Sequence, residues 1–158
     1  GLYNRRFLQE DITRLHTDNK DTAKNIAVIM MDLDNFKKYN DSYGHRAGDT
    51  CIKLFAELLL SAIKEIDGYA VRYGGEEFLL VIFNASRQQA EKIAWEIVKQ
   101  TEKICVSSGQ ECAGFTVSAG VCLASAETNS LEQLTEQADK ALYLAKQKGK
   151  NRVCLYQG

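Results

Sequence analysis

Two kinds of apolar run alternate along the chain: stretches with apolar residues three and four apart, and short blocks that are apolar throughout. Over residues 4–18, Phe7, Leu8, Ile12 and Leu15 fall at helical spacing, which predicts a helix. Polar residues 19–25 read as a loop. Ile26-Ala27-Val28-Ile29-Met30-Met31 is continuously apolar and ends in Asp32-Leu33-Asp34. Short and rich in β-branched residues, it predicts a strand buried on both faces. Residues 35–48 are polar, with Tyr43-Gly44-His45 and Gly48 as breakers. Asp49 is then suited to cap a helix reaching about residue 65, with Leu54, Phe55, Leu58, Leu59 and Ile63 inward.

Residues 69–73 and 76–83 flank Gly74-Gly75 and predict a hairpin, its two glycines supplying the positive φ of a primed turn. Residues 86–106 predict a helix with Ala90, Ile93, Ala94, Ile97, Val98 and Ile104 inward. Residues 115–123 predict a strand in which Gly120 marks close backbone approach or a bulge. Residues 131–148 form a helix stopped by Gly149, and residues 152–156 a last short strand. The order α-β-α-β-β-α-β-α-β implies an α/β fold, a mixed sheet of about five strands covered by helices.

Composition narrows this picture mainly by exclusion. With 158 residues, 45% of them hydrophobic, the chain suits one domain with a proper core and is not disordered. Charges are spread too evenly for a membrane span. Lys+Arg 20 against Asp+Glu 21 leaves no bulk basic field to hold nucleic acid or an anionic membrane. Any phosphate must therefore be met by local arrangement. The start at Gly1 and the polar Leu2-Tyr3-Asn4-Arg5-Arg6 segment are unlike a signal peptide and read as a piece of something longer. Five cysteines, Cys51, Cys105, Cys112, Cys122 and Cys154, contain no C-x-x-C pair and read as buried, reduced thiols of a cytoplasmic protein.

Two acidic clusters fall on strand ends. Alternation puts Met30, Asp32 and Asp34 on one face. Glu76 and Glu77 point to opposite faces, so at most one shares the side of Asp32 unless the backbone bulges. Converging carboxylates with backbone carbonyls are hard-oxygen ligands suited to Mg²⁺ held together with substrate phosphates; the alternative is that the acids cap loops or pair with Arg72. A tight turn at Asn35-Phe36-Lys37 into a short helix would present backbone N–H groups to an anion. An amide and a carboxylate at Asn40 and Asp49 match the hydrogen-bonding edge of guanine, while adenine would leave them unpaired. His45 suits loop packing, and no nucleophile pattern surrounds it. Lys146 and Lys150 are four apart, but Gly149 between them leaves their helical relation open.

Arg72-Tyr73-Gly74-Gly75-Glu76-Glu77-Phe78 resembles the signature of the GGDEF family, the diguanylate cyclases. The resemblance runs over nearly the whole chain. It takes in Asn4-Arg5-Arg6-Phe7, Met31-Asp32-Leu33-Asp34-Asn35-Phe36-Lys37, Asn40-Asp41 and Tyr43-Gly44-His45-Arg46-Ala47-Gly48-Asp49. It continues through Val117-Ser118-Ala119-Gly120-Val121, Ala138-Asp139-Lys140-Ala141-Leu142-Tyr143-Leu144-Ala145-Lys146 and Gly149-Lys150-Asn151. It implies a fold like the nucleotide-cyclase catalytic domain and the polymerase palm, and condensation of two GTP into cyclic di-GMP with loss of two pyrophosphates.

By motif, Asp32, the Leu33 carbonyl, Glu76 and, as a contributor, Glu77 would hold Mg²⁺, with Mn²⁺ as an alternative. Glu76 is also the preferred base for the 3′-OH. Asn35, Phe36 and Lys37 would hold phosphates, Asn40 and Asp49 would read guanine, and Gly75 would let the nucleotide approach. Lys146 and Lys150 would meet the β- and γ-phosphates. Each domain would bind one GTP, so the working unit would be a C₂ homodimer, driven by an upstream sensor segment. Two departures stand out. The family's Asp-x-Leu-Thr stretch before Gly1 is absent, consistent with truncation. The Arg-x-x-Asp product-inhibition site would fall at Glu65 and Gly68, so it is missing. The rival readings are a catalytically silent GTP-binding module and a cyclase making cGMP.

Overall fold

The computed structural model describes residues 2–12, 26–108, 111–125 and 130–157. Its described strands form a six-stranded mixed sheet and a separate two-stranded hairpin. The strands are β1 (Tyr3–Asn4), β2 (Ala27–Leu33), β3 (Gly68–Arg72), β4 (Glu77–Ile82), β5 (Cys105–Ser108), β6 (Glu111–Gly114), β7 (Val117–Leu123) and β8 (Val153–Leu155). The large sheet runs β1-β3-β4-β2-β7-β8, and β5 pairs only with β6. The two edge pairs are parallel and the inner pairs antiparallel. The helices are α1 (Arg5–Phe7), α2 (Phe36–Tyr43), α3 (His45–Ala62), α4 (Arg87–Glu102) and α5 (Leu131–Gln147).

The central strand β2 is buried on both faces because helices cover both. Odd-numbered Ile29, Met31 and Leu33 pack with Phe55 and Leu59 of α3 and Ala94 and Ile97 of α4. Even-numbered Val28 and Met30 pack with Leu134, Ala138 and Leu142 of α5. Gly120 of β7 lies so close under α5 that a Cβ there would strike the Ala138 carbonyl and the Leu142 amide. This is the close approach its place in a strand suggested. Ser86 opens α4 with a reciprocal capping box to Gln89.

Several expectations change. The first helix is α1 followed by a wider π-type turn over Leu8–Ile12, preceded by the short edge strand β1. Its predicted remainder, residues 13–18, lies outside the described residues. The polar run 35–48 holds the short helix offered after Asn35, α2, and also the first turn of α3, which begins at His45 after Gly44 at φ 91°. Asp49 therefore lies inside α3 and caps nothing. Neither Gly74 nor Gly75 has positive φ. A wider turn closes instead through the Tyr73 and Gly74 amides, which donate to the Glu77 carbonyl at 2.8 and 3.1 Å. The first arm of that hairpin is displaced by one residue and the second is shorter than expected, and the sheet has six strands where about five were expected.

The predicted helix over 86–106 ends earlier, at Glu102, and the chain turns back through the two four-residue strands β5 and β6, too short for an alternation to be read. This hairpin brings Cys105 and Cys112 together in a disulfide with Cα atoms 5.5 Å apart. Both are exposed, contrary to the expectation of buried free thiols. Cys51, Cys122 and Cys154 are free and buried as expected, and burial pushes the Cys122 thiol up to about 11. Among the described residues no helix is long and apolar enough to cross a membrane.

Candidate active site at the end of the central strand

Strand β2 carries Asp32 next to its last residue, and Asp34 follows the strand directly. Asp32 pairs across the ladder with Glu77 on one side and Ser118 on the other. Residues directly opposite in an antiparallel pair share a face, so Asp32 and Glu77 both face α5. Glu77 lines a cavity of about 520 Å³ there with Arg5, Tyr73, Met30 and Asp139. Arg5 stacks on Tyr73, 4.5 Å from the ring centroid. Glu76 precedes the strand and is tied to β2 by its backbone, the Leu33 amide donating to its carbonyl at 3.2 Å. Arg72 pairs with none of these acids. Its guanidinium donates to the Gly74 and Gly75 carbonyls at 3.3 and 2.8 Å and holds the turn. A Cβ on Gly75 would meet nothing within 4 Å, so the turn stands open to an approaching group.

The cations come from α5. Lys146 Nζ donates to Asp34 Oδ1 at 2.8 Å, to Asp32 Oδ1 at 3.1 Å and to the Asp32 carbonyl at 3.3 Å. Helix α5 stops at a Schellman-type cap. Gly149 sits at φ 124°, and the Lys150 amide donates back to the Ala145 carbonyl at 3.0 Å. Lys150 is thereby off the helix, yet its Nζ reaches the same strand end and donates to Asn35 Oδ1 at 2.5 Å. Asn35 stands at φ 55° between β2 and α2. Its side chain caps no amide of α2, which leaves the first-turn N–H groups of Phe36 and Lys37 without a side-chain cap at the positive end of the helix dipole. Lys37 is exposed.

Asn40 and Asp49 lie on adjacent helices. Asn40 packs its carboxamide on Gly48, the residue before Asp49, and its Oδ1 is buried without a partner. Asp49 is exposed.

Electrostatics separate the acids. Burial raises the Asp32 carboxyl above its ordinary value, and nearby Asp34 and Asp139 add to this, although Lys146 opposes them. Burial also presses on Asp34, but hydrogen bonds from Lys146, Ser118 and Thr116 outweigh it and hold that carboxyl low. Glu77 is raised by burial, then by Asp32, Asp139 and Glu76, against Arg5. Among the described residues no three acidic, histidine or cysteine side chains converge into a metal cluster. The ligand-bearing side chains of the strand end, Asp32 and Glu77, are oxygen donors, and Asp32 shares its single lysine with Asp34. That donor set fits a hard cation that takes its other ligands from phosphate and water.

Sequence reasoning placed Asp34 on the Asp32 face but gave it no role, and it passed over Thr116 and Asn151 as functional positions. The structure makes Asp34 the most heavily bonded side chain of the cluster. Alternation was the available signal; its partners lie 82 to 117 residues away.

An acidic strand end, an uncapped helix start and two lysines, one from the last turn of α5 and one from the turn after it, meet in this α/β domain. The family model described as "Diguanylate cyclase, GGDEF domain" matches residues 1–152, and the chain belongs to this family. Diguanylate cyclase VdcA of Vibrio cholerae is 41% identical over 158 residues, covering 97% of this chain and 44% of that protein. Diguanylate cyclase A of Treponema denticola is 38% identical over 143 residues, covering 89% and 38%. The chain thus spans less than half the length of these relatives. Among solved structures, the active GGEEF domain of a Vibrio cholerae diguanylate cyclase superposes with TM-score 0.90 at 31% identity, covering 100% of this chain and 99% of that one. The GGDEF domain of DgcB from Caulobacter crescentus, in complex with c-di-GMP, gives 0.91 at 28%, covering 99% and 92%.

Proposed function

We propose that this chain is one catalytic domain of a longer, cytoplasmic regulatory protein and condenses two GTP into cyclic di-GMP. The observation that carries this is the convergence of Lys146, Lys150 and the uncapped start of α2 on the strand end that holds Asp32 and abuts Glu76. The two lysines, the start of α2 and the Asp32 carboxylate come to that strand end from different elements. Asp32, the Leu33 carbonyl, Glu76 and, as a contributor, Glu77 hold the divalent cation, Mg²⁺ or Mn²⁺. That cation, when bound, neutralises phosphate charge and lowers the pKa of the 3′-OH.

The amides of Asn35 and Phe36, with Lys37, grip the phosphates, and Lys146 and Lys150 take the charge that develops on the leaving pyrophosphate. Asn40 and Asp49 read the guanine edge, and Gly75 leaves room for the α-phosphate and ribose. One GTP's 3′-oxygen forms a bond to the other's α-phosphorus, Glu76 accepts the hydroxyl proton, and the bond to the β-phosphate oxygen breaks. One domain holds one GTP, so two copies meet face to face in C₂ symmetry, brought together by an upstream sensor segment. Positioning and charge neutralisation supply most of the acceleration.

The domain, concentrated or fused to a dimeriser, is incubated with GTP and Mg²⁺ and the products are separated by chromatography. Cyclic di-GMP that disappears in Asp32→Asn and Glu76→Ala supports the reading. GTP bound without turnover by the dimerised protein overturns it.

A further inference from the structure

We propose that Asp34 is a positioning residue that presents both phosphate-facing lysines. Its side chain is 1% exposed and accepts four hydrogen bonds, two on each oxygen. Oδ1 takes Ser118 Oγ at 2.6 Å and Lys146 Nζ at 2.8 Å. Oδ2 takes Thr116 Oγ1 at 2.7 Å and the Asn151 amide at 2.9 Å. A carboxylate has about four lone-pair sites, so Asp34 has none left for a metal ion.

The four partners divide by origin. Thr116 and Ser118 belong to the neighbouring strand segment and fix the carboxylate's orientation; the Asp34 amide itself donates to the Thr116 carbonyl at 2.8 Å. Lys146 and Asn151 belong to the end of α5 and the turn after it, and each brings a cation. Lys146 is held directly. Lys150 is held through its neighbour, because Lys150 and Asn151 both sit in the left-handed region, at φ 66° and 49°. That conformation is unfavourable for a lysine and tolerated by asparagine, and the Asn151–Asp34 bond is one of the contacts that keep the turn in it. Lys150 Nζ is then delivered to Asn35. Lys146 has two carboxylates and Asp34 is its shorter contact, so the lysine keeps an anchor when Asp32 turns to a cation.

This rests on the GTP reading and adds a prediction that turnover alone would not give. Binding of 3′-deoxy-GTP, which cannot form product, and of GMP is measured by calorimetry with Mg²⁺ for the wild type, Asp34→Asn and Thr116→Val. Asp34→Asn weakens 3′-deoxy-GTP by about tenfold, the scale of a lost charge-assisted contact, and leaves GMP unchanged. Thr116→Val keeps the carboxylate and removes one orienting bond, and weakens the triphosphate by about fivefold; it carries the test if Asp34→Asn does not fold. Equal loss for both ligands marks a merely structural role and overturns the proposal, as does an unchanged triphosphate affinity in the folded variants. Wild type that binds 3′-deoxy-GTP no more tightly than GMP overturns it too. Wild type that prefers the triphosphate but makes no cyclic di-GMP sinks only the condensation reading.

Discussion

Asp32 stands directly across the β2–β4 ladder from Glu77, while Glu76, one residue earlier, meets β2 through its backbone carbonyl. Two adjacent glutamates therefore have different surroundings. Glu77 is half-buried on the α5 side with Asp139 and Arg5, and Glu76 lies at the mouth of the turn beside open Gly75.

Glu76→Gln is expected to lower the rate of cyclic di-GMP formation by about a hundredfold or more, the usual contribution of a general base. Glu77→Gln is expected to cost less, since it removes a contributor to the cation site and not the base. Single-turnover rates at saturating Mg²⁺ check this, and equal losses would count against the assignment of the base to Glu76.

Glu77 also predicts a pH dependence of stability. Its folded pKa is raised by burial and by Asp32, so the native state binds its proton more tightly than the unfolded chain. Stability from this group falls as pH rises from the ordinary carboxylate range through the raised value. Glu77→Gln should raise Tm at pH 7 and lose that advantage near pH 4, where wild-type Glu77 is itself protonated. Asp34 has the opposite sign, being held low. Its contribution is present at neutral pH and is lost as acid passes below the ordinary range. Thermal melts of wild type, Glu77→Gln and Asp34→Asn across pH 3–8 separate the two.

Gly48 is a lever on base recognition. A Cβ there would overlap Asn40 Oδ1 and come within 3.2 Å of Phe36 Cζ. The amide is the end of a flexible side chain, so Gly48→Ala displaces Asn40 and the fold survives. GTP affinity should fall about tenfold, with a smaller change for ATP, because the lost hydrogen bonds are specific to guanine. Calorimetry with both nucleotides reads the discrimination.

Feedback at the Glu65 and Gly68 positions should be absent. Initial rates with micromolar cyclic di-GMP added should match those without it at saturating GTP. Installing the missing carboxylate is disfavoured by packing. Gly68 pairs with Ile82 in the ladder, and a Cβ there would strike the Val81 carbonyl. Gly68→Asp should lower Tm by about 5 °C, the size of an overpacking penalty in a domain of this length.

The sequence by itself determined where the main strands and helices lie, because each is written in local periodicity. The apolar block before Asp32, short and β-branched, read as a buried strand, and Gly149 ended its helix as read. It also named Asp32, Glu76, Asn40 and Lys146, since the signature carries them in order. What it could not read depended on register and on approach between distant segments. The glycines of Gly74-Gly75 permitted a primed turn, but pairing of Tyr73 and Gly74 with Glu77 decided a wider one. Cys105 and Cys112 became partners only when residues 105–114 folded back on themselves. Lys146 and Asp32 are 114 residues apart, and Lys150, beyond the stop at Gly149, reaches the neighbouring Asn35 from the turn after α5. Asp34 shows the division most clearly. Alternation gave its face, but its four hydrogen-bond partners come from β7, the residue just before it, the last turn of α5 and the turn after α5, and only packing of sheet against helix brings them together.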